Sequence, residues 1–89
     1  MTCIWKFLIP FDNPGLFELD MPKGAKLLTV QVQNSQPMLW AEVKTIAPPV
    51  KRKLVIVGTG TQYHPKSSYK YVATWQEPPY VWHLLDRGE

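Results

Sequence analysis

The stretch KLLTVQVQNSQPMLWAEVK, residues 26–44, decides the fold class. Apolar and polar side chains alternate along its first half, with Leu28, Val30 and Val32 on the apolar side. This period of two is typical of a half-buried β-strand, and Asn34-Ser35-Gln36 has the composition of a short turn. The alternation resumes after the turn, so the stretch predicts an antiparallel hairpin.

The same period of two recurs on both sides of this hairpin. Nine prolines and five glycines interrupt the 89 residues, and no segment keeps a helical period over three turns. We therefore expect one all-β domain over residues 1–89, a small antiparallel barrel or sandwich of six to seven short strands. The expected strands are Cys3–Ile9, Leu16–Met21, Lys26–Gln33, Met38–Lys44, Arg52–Gly58, Tyr69–Gln76 and Tyr80–Leu85.

Four of these strands carry more specific expectations. The turn signal Asp12-Asn13-Pro14-Gly15 separates the first two, which are therefore expected to form a hairpin. The fifth is apolar from Leu54 to Val57 and is expected to be central and buried on both faces. Alternation in the sixth strand places four side chains on one face: Tyr69, Tyr71, Ala73 and Trp75.

The composition favours self-association. Hydrophobic residues make up 45% of the chain and charged residues 19%, and four residues are tryptophan. A domain of this length has a limited core, so we expect a homo-oligomer with Trp40, Trp75 or Trp82 at the contact. The alternative is that a small domain leaves its aromatic side chains half exposed. Cys3 is the only cysteine, which excludes an intramolecular disulfide framework.

Charge and hydropathy give expectations about partners and location. The net charge of +3 favours an anionic partner, but Lys51-Arg52-Lys53 is the only basic cluster, which falls short of a nucleic-acid-binding stripe. The N-terminus lacks the features of a signal peptide, and no apolar run reaches the ~18 residues that a membrane span needs. We expect a cytoplasmic protein that does not contact the membrane.

No constellation typical of an enzyme is visible. The seven carboxylates include no pair placed for acid–base catalysis, and Cys3 has no histidine beside it in sequence. His64 and His83 have no metal-ligand spacing, so no catalytic residue, metal or cofactor is expected. Because His83 alternates with Val81 and Leu85, it is interpreted as a core histidine bonded to the backbone.

The loop GTGTQYHPKSS, residues 58–68, is the strongest candidate for a binding site. Its glycines allow close backbone approach, its amides and hydroxyls suit phosphate or ribose, and its tyrosine offers a stacking face. It matches neither a Walker loop nor G-x-G-x-x-G, and the alternative is an ordinary polar loop with a bulge. The expected ligand contacts are Gly58, Thr59, Gly60, Thr61, Tyr63, His64, Lys66, Arg52 and Trp40. For Trp40, which lies on an otherwise polar strand face, the alternatives are a subunit contact or cover for a neighbouring side chain.

Several segments resemble a family of small uncharacterised phage and prophage proteins, the DUF7352 type of domain of unknown function. The similar segments are Thr2–Phe7, Phe17–Ala25, Leu28–Asn34, Leu39–Ala41, Gly58–Gly60, Lys70–Gln76 and Val81–Leu84. The resemblance implies a phage origin and no particular activity. The Tyr63–Ser68 part of the loop lies outside the similar segments.

A phage origin and a phosphate-compatible loop favour a non-enzymatic anti-defence sponge, acting in the infected bacterial cell. Its expected ligand is a small anionic nucleotide, an immune signal of the cyclic-dinucleotide or ADP-ribose type. One alternative is a single-stranded nucleic-acid-binding barrel that uses Trp40, Tyr69, Tyr71, Arg52 and Lys53. Another is a phage structural or protein-interaction module.

Overall fold

The computed structural model describes residues 1–10 and 14–89, which form seven strands. The strands are β1 (Thr2–Leu8), β2 (Gly15–Pro22), β3 (Lys26–Gln33), β4 (Gln36–Lys44), β5 (Pro49–Gly58), β6 (Lys70–Glu77) and β7 (Tyr80–Gly88). They confirm the predicted all-β class. None of the described residues forms a helix of the length and apolarity that a membrane crossing takes.

The strands form two antiparallel sheets that pack as a sandwich. One sheet has the order β1-β4-β3 and the other β2-β5-β7-β6. The predicted hairpin of β1 and β2 is wrong, because β1 pairs with β4 and β2 pairs with β5. The chain leaves the first sheet at Ile9, which is 1% exposed, so that β1 and β2 bury their apolar faces against opposite sides of one core. Asp12 and Asn13 of the expected turn lie outside the described residues.

The β3–β4 hairpin is present, with a turn of two residues. Asn34 and Ser35 have φ angles of 53° and 65°, and Gln33 pairs with Gln36. The expectation that Leu28 points inward from β3 is wrong, because β3 has a β-bulge at this residue. The extra residue turns Leu28 outward to 38% exposure, while Leu27 packs against the core in its place.

β5 is central, as expected, and three consecutive residues on it are buried: Leu54, Val55 and Ile56. The core lies between the sheets and includes Leu39, Ala41 and Leu84. The expectation that Tyr71 shares a face of β6 with Ala73 and Trp75 is wrong, because a second bulge lies at Val72. Ala73 and Trp75 point into the core, whereas Tyr71 is 62% exposed on the outer face.

Arg52 and Asp86 form an ion pair within the four-stranded sheet. The Arg52 Nε and Nη2 atoms donate to the two carboxylate oxygens at 3.0 and 2.7 Å, and Nη1 donates to the Ala25 carbonyl at 2.8 Å. Burial raises the pKa of Asp86, but hydrogen bonds from Arg52 and the Gly88 amide, together with nearby positive charge, outweigh it and leave that pKa below its ordinary value. The guanidinium of Arg52 is therefore bonded within the fold and does not face a ligand site.

Candidate functional site

The segment joining β5 to β6, residues 59–69, crosses the outer face of the four-stranded sheet; we call it the crossover segment. β5 and β6 run in the same direction because both are antiparallel to β7, which lies between them. The chain must therefore travel back along the sheet to begin β6. The three-stranded sheet covers the inner face, so the crossover segment passes over the outer one and encloses space against it.

The crossover segment begins with a tight turn. The Thr61 amide donates to the Gly58 carbonyl at 3.1 Å, and Gly60 has a φ of 85°, as in a type II turn, whose third position needs a positive φ and so favours glycine or asparagine. The Thr59 amide donates to the Val81 carbonyl at 3.1 Å. Two amides that were expected to bind phosphate are thus used within the protein.

Two neighbouring hollows lie beneath the crossover segment, and together we call them the trough. The first lobe has a volume of about 300 Å³ and is lined by Val57, Gly58, Thr59, Gly60, Thr61, Tyr63, Tyr71, His83 and Leu85. The second lobe has a volume of about 290 Å³ and is lined by Leu16, Val55, Tyr63, His64, Lys66 and Tyr69. The Tyr63 side chain separates the two lobes, since it lines both.

A hydrogen-bonded chain of four side chains runs along the first lobe. Thr59 Oγ1 lies 2.7 Å from His83 Nε2, and Thr74 Oγ1 lies 2.8 Å from His83 Nδ1. The Tyr71 hydroxyl is hydrogen-bonded to the Thr74 hydroxyl. The bulge at Val72 makes this possible, because it turns Tyr71 to the same face as Thr74.

This chain corrects the interpretation of His83 as a core histidine bonded to the backbone. The ring is half-buried and bonded to two hydroxyl groups. A neutral imidazole has one donor and one acceptor nitrogen, and a hydroxyl can fill either role. The four groups carry one donor hydrogen each and share three hydrogen bonds, so one hydrogen remains to be offered to a ligand.

A family model for a domain of unknown function, DUF7352, matches residues 1–89. The chain belongs to the DUF7352 family. No curated protein and no solved structure matches it. The description of the family names no activity, so the function of this DUF7352 domain is argued from its own geometry.

The trough of the DUF7352 domain gathers seven of the nine residues that the sequence singled out. Five line the first lobe, Gly58, Thr59, Gly60, Thr61 and Tyr63, and two line the second, His64 and Lys66. Arg52 is not among them, because its guanidinium lies on the inner face of the sheet, bonded to Asp86. Trp40 is on the outer face of the other sheet, opposite Lys6.

Sequence reasoning missed Tyr71, Thr74 and His83 as site residues. The alternation in β7 predicts that His83 points away from the face on which Leu84 is buried. Only the pairing of β7 with its two neighbours brings His83 beside Thr74 of β6 and close to the end of β5. The proposed nucleic-acid platform is also divided, since Trp40 and Tyr71 lie on different sheets. Within residues 1–10 and 14–89, no three His, Cys, Asp or Glu side chains are grouped to hold a metal ion.

Proposed function

We propose that this DUF7352 domain binds a small anionic nucleotide in the trough and holds it without transforming it. The observation that carries the proposal is the hydrogen-bonded chain through His83 and Tyr71, which lines the first lobe together with Tyr63, next to a second lobe lined by Lys66. A nucleotide combines the three groups that this arrangement suits: a flat base, polar edge atoms and a phosphate.

The first lobe suits the base. Its walls are mostly apolar, and Tyr63 and Tyr71 are 43% and 62% exposed. Stacking of a base on an aromatic ring contributes about 1–3 kcal/mol. The spare hydrogen of the Thr59–His83–Thr74–Tyr71 chain can be donated to an acceptor atom on the base or ribose. A volume of about 300 Å³ lies at the lower end of the range for small-molecule pockets, so one chain suits a single base with its sugar.

The second lobe suits the phosphate. Lys66 supplies a positive charge and His64 a further hydrogen-bonding group, and both lie across Tyr63 from the first lobe. A hydrogen bond to a charged group contributes about 1.5–3 kcal/mol. This arrangement replaces the turn amides as the expected phosphate contacts.

We propose the same biological setting that the sequence favours: a phage protein that sequesters a nucleotide immune signal in the cytoplasm of the infected bacterium. A sponge must hold its signal below the working concentration of that signal. An affinity near nanomolar, about −12 kcal/mol, is therefore expected. Stacking and a single bond from one lysine fall short of this value even together, so the proposal requires both lobes and several charge-assisted hydrogen bonds to the phosphate.

The test is a calorimetric titration of the purified protein with cyclic dinucleotides, ADP-ribose derivatives, the parent nucleosides and inorganic phosphate. The bound material is then released by heating and identified by mass. We expect one nucleotide class to bind tightly and to be recovered intact, with nucleoside and phosphate each binding more weakly.

Two pairs of variants locate the binding. Thr74→Val breaks the hydrogen-bonded chain and should weaken binding about tenfold, the effect of losing one hydrogen bond of about 1.4 kcal/mol. Its control, Thr29→Val, changes a half-buried threonine on the other sheet. Lys66→Ala should weaken the nucleotide but not the nucleoside, and Lys23→Ala, an exposed lysine in a turn, is its control.

Three results would contradict the proposal. Recovery of a degraded nucleotide would mean that the protein is an enzyme. Binding of oligonucleotides that weakens steeply with salt would favour the single-stranded nucleic-acid reading. If no compound of the panel binds or changes the melting temperature, the remaining hypothesis is a structural or protein-interaction module.

A further inference from the structure

The four edge strands of the sandwich differ in how well they are protected against pairing with another chain. β3 and β6 are interrupted by the bulges at Leu28 and Val72, and β2 carries Glu18 and Asp20. Bulges and charges are the usual means of preventing edge-to-edge association. β1 is the least protected: it has no bulge, its register with β4 is continuous from Thr2 to Leu8, and Lys6 is its single charged residue.

The hydrogen bonds at its two ends show which backbone groups of β1 are free. The Thr45 amide donates to the Met1 carbonyl at 2.9 Å, and the Ile9 amide donates to the Pro37 carbonyl at 3.1 Å. The odd-numbered residues therefore direct their backbone groups toward β4. The even-numbered residues, Thr2, Ile4, Lys6 and Leu8, direct theirs to the open side, where no strand of residues 1–10 and 14–89 pairs with them.

Both faces of β1 also carry exposed apolar side chains. On the outer face, Ile4 is 62% and Leu8 51% exposed. On the inner face, Trp5 is 40% exposed and, with Phe7 and Met21, lines a cavity of about 260 Å³ at the open side of the sandwich, between β1 and β2. An edge of this kind presents unpaired backbone groups and apolar side chains to the same partner.

We propose that the partner is a second copy of this chain, whose β1 pairs antiparallel with the first across a two-fold axis at Trp5. The free backbone groups belong to even-numbered residues, so an even-numbered residue of one copy must pair with an even-numbered residue of the other. The two-fold axis must then lie at a residue of β1 and not between two residues. An axis at Lys6 sets two lysines opposite each other, and an axis at Ile4 leaves Leu8 unpaired. The axis at Trp5 aligns the whole strand, with Lys6 opposite Ile4 of the second copy.

This dimer joins two three-stranded sheets into one sheet of six strands. It also covers the cavity beside Trp5, whereas the trough lies on the outer face of the other sheet and stays open. The proposed contact at Trp5 differs from the expected one at Trp40, Trp75 or Trp82; of these three, Trp75 is in the core, at 4% exposure. The dimer does not depend on any ligand of the trough.

The first test is the molar mass of the ligand-free protein by light scattering after gel filtration. We expect twice the 10.3 kDa of one chain at micromolar concentration. Ile4→Lys sets a lysine opposite Lys6 of the second copy and should give the monomer mass. Ile4→Glu introduces the opposite charge at the same position and should keep the dimer mass.

Leu28→Lys and Ile46→Lys are the controls, because both side chains are exposed, at 38% and 87%, and neither is on β1. Both should keep the dimer mass. A monomeric wild type, or loss of the dimer in these controls but not in Ile4→Lys, would overturn the proposal. Circular dichroism of each variant establishes that it retains the β-fold.

The second test is the register. In the Cys3→Ser background, Trp5→Cys places two thiols opposite each other in a non-hydrogen-bonded pair, where the Cα atoms of antiparallel strands are about 4.5 Å apart. This separation suits a disulfide. We expect mild oxidation to give a covalent dimer, and Ile46→Cys in the same background to stay monomeric on a denaturing gel. Equal cross-linking of both variants, or of neither, would exclude the Trp5-centred register.

Discussion

Gly58 lies directly opposite Trp82 in the β5–β7 ladder, and the indole ring lies where it would meet any side chain at position 58. A Cβ atom at position 58 would be 3.1 Å from Cζ3 of Trp82 and 3.3 Å from Oγ1 of Thr61. The absence of a side chain at Gly58 thus lets the turn close tightly over the tryptophan. The same turn brings Thr59 to His83, so this contact links core packing to the geometry of the trough.

We expect Gly58→Ala to destabilise the fold by about 1–2 kcal/mol, because the Trp82 ring must shift to accept the methyl group. The lower unfolded-chain entropy of alanine offsets part of this cost. Denaturant unfolding followed by tryptophan fluorescence measures both the stability and the ring environment. Gly60→Asn is the control: nothing lies within 4 Å of its Cβ position, and asparagine tolerates the φ of 85°. An unchanged stability in Gly58→Ala would contradict the packing argument.

The two ion pairs of the four-stranded sheet should differ in their contribution to stability. Asp86→Ala removes the closer of the two carboxylates beside the Arg52 guanidinium, whose side chain is 12% exposed, and leaves only Glu89 at 3.6 Å. It should cost about 2–4 kcal/mol of unfolding free energy. Asp20→Ala breaks the pair with Lys51, in which both side chains are about two-thirds exposed and screened by solvent, and should cost much less than Asp86→Ala. Urea denaturation at neutral pH compares them, and equal losses would refute the distinction.

The Asp86 carboxyl should also make stability depend on pH in the acid range. Its pKa in the folded protein lies below the ordinary value of 3.8, so the unfolded state binds the proton more tightly. Its contribution is therefore fully present above about pH 5 and is lost as the pH falls through the folded-state pKa. The stability difference between wild type and Asp86→Asn should be constant above that pH and shrink below it. A difference that grows on acidification would contradict this sign.

The β3–β4 turn offers a stabilising substitution. Ser35 has a φ of 65°, a conformation that costs a non-glycine residue about 1–2 kcal/mol. Ser35→Gly creates the Asn-Gly pair preferred in such turns and should raise stability by about 0.5–1 kcal/mol. Ser67→Gly, in a turn without positive φ, should not raise it. The melting temperatures of the two variants check the prediction.

The hairpin over residues 26–44 shows how far local patterns reach. Alternation and the Asn34-Ser35 turn signal predicted both strands and their pairing, because a two-residue turn allows no other neighbour. The same reasoning failed for β1 and β2, which a longer connection separates. Leu28 and Tyr71 were assigned to the wrong faces because a bulge leaves no recognisable mark in the alternation.

The candidate site was predicted in part. The loop residues were found because glycine, hydroxyl and lysine side chains close together in sequence already suggest binding. Tyr71, Thr74 and His83 come from two other strands, and only their pairing brings them beneath the crossover segment. Arg52 was misassigned because its sequence neighbours, Lys51 and Lys53, are exposed while its own side chain points inward to Asp86.

By itself, the sequence determined the all-β class, most strand positions, the central place of β5 and the loop that contributes to the trough. These follow from periodicity and turn chemistry, which act over a few residues. Only the tertiary structure decided which strands pair, where the bulges fall and what lies beneath the crossover segment. Those choices depend on which apolar faces can be buried together, a property of the whole chain that no single segment contains.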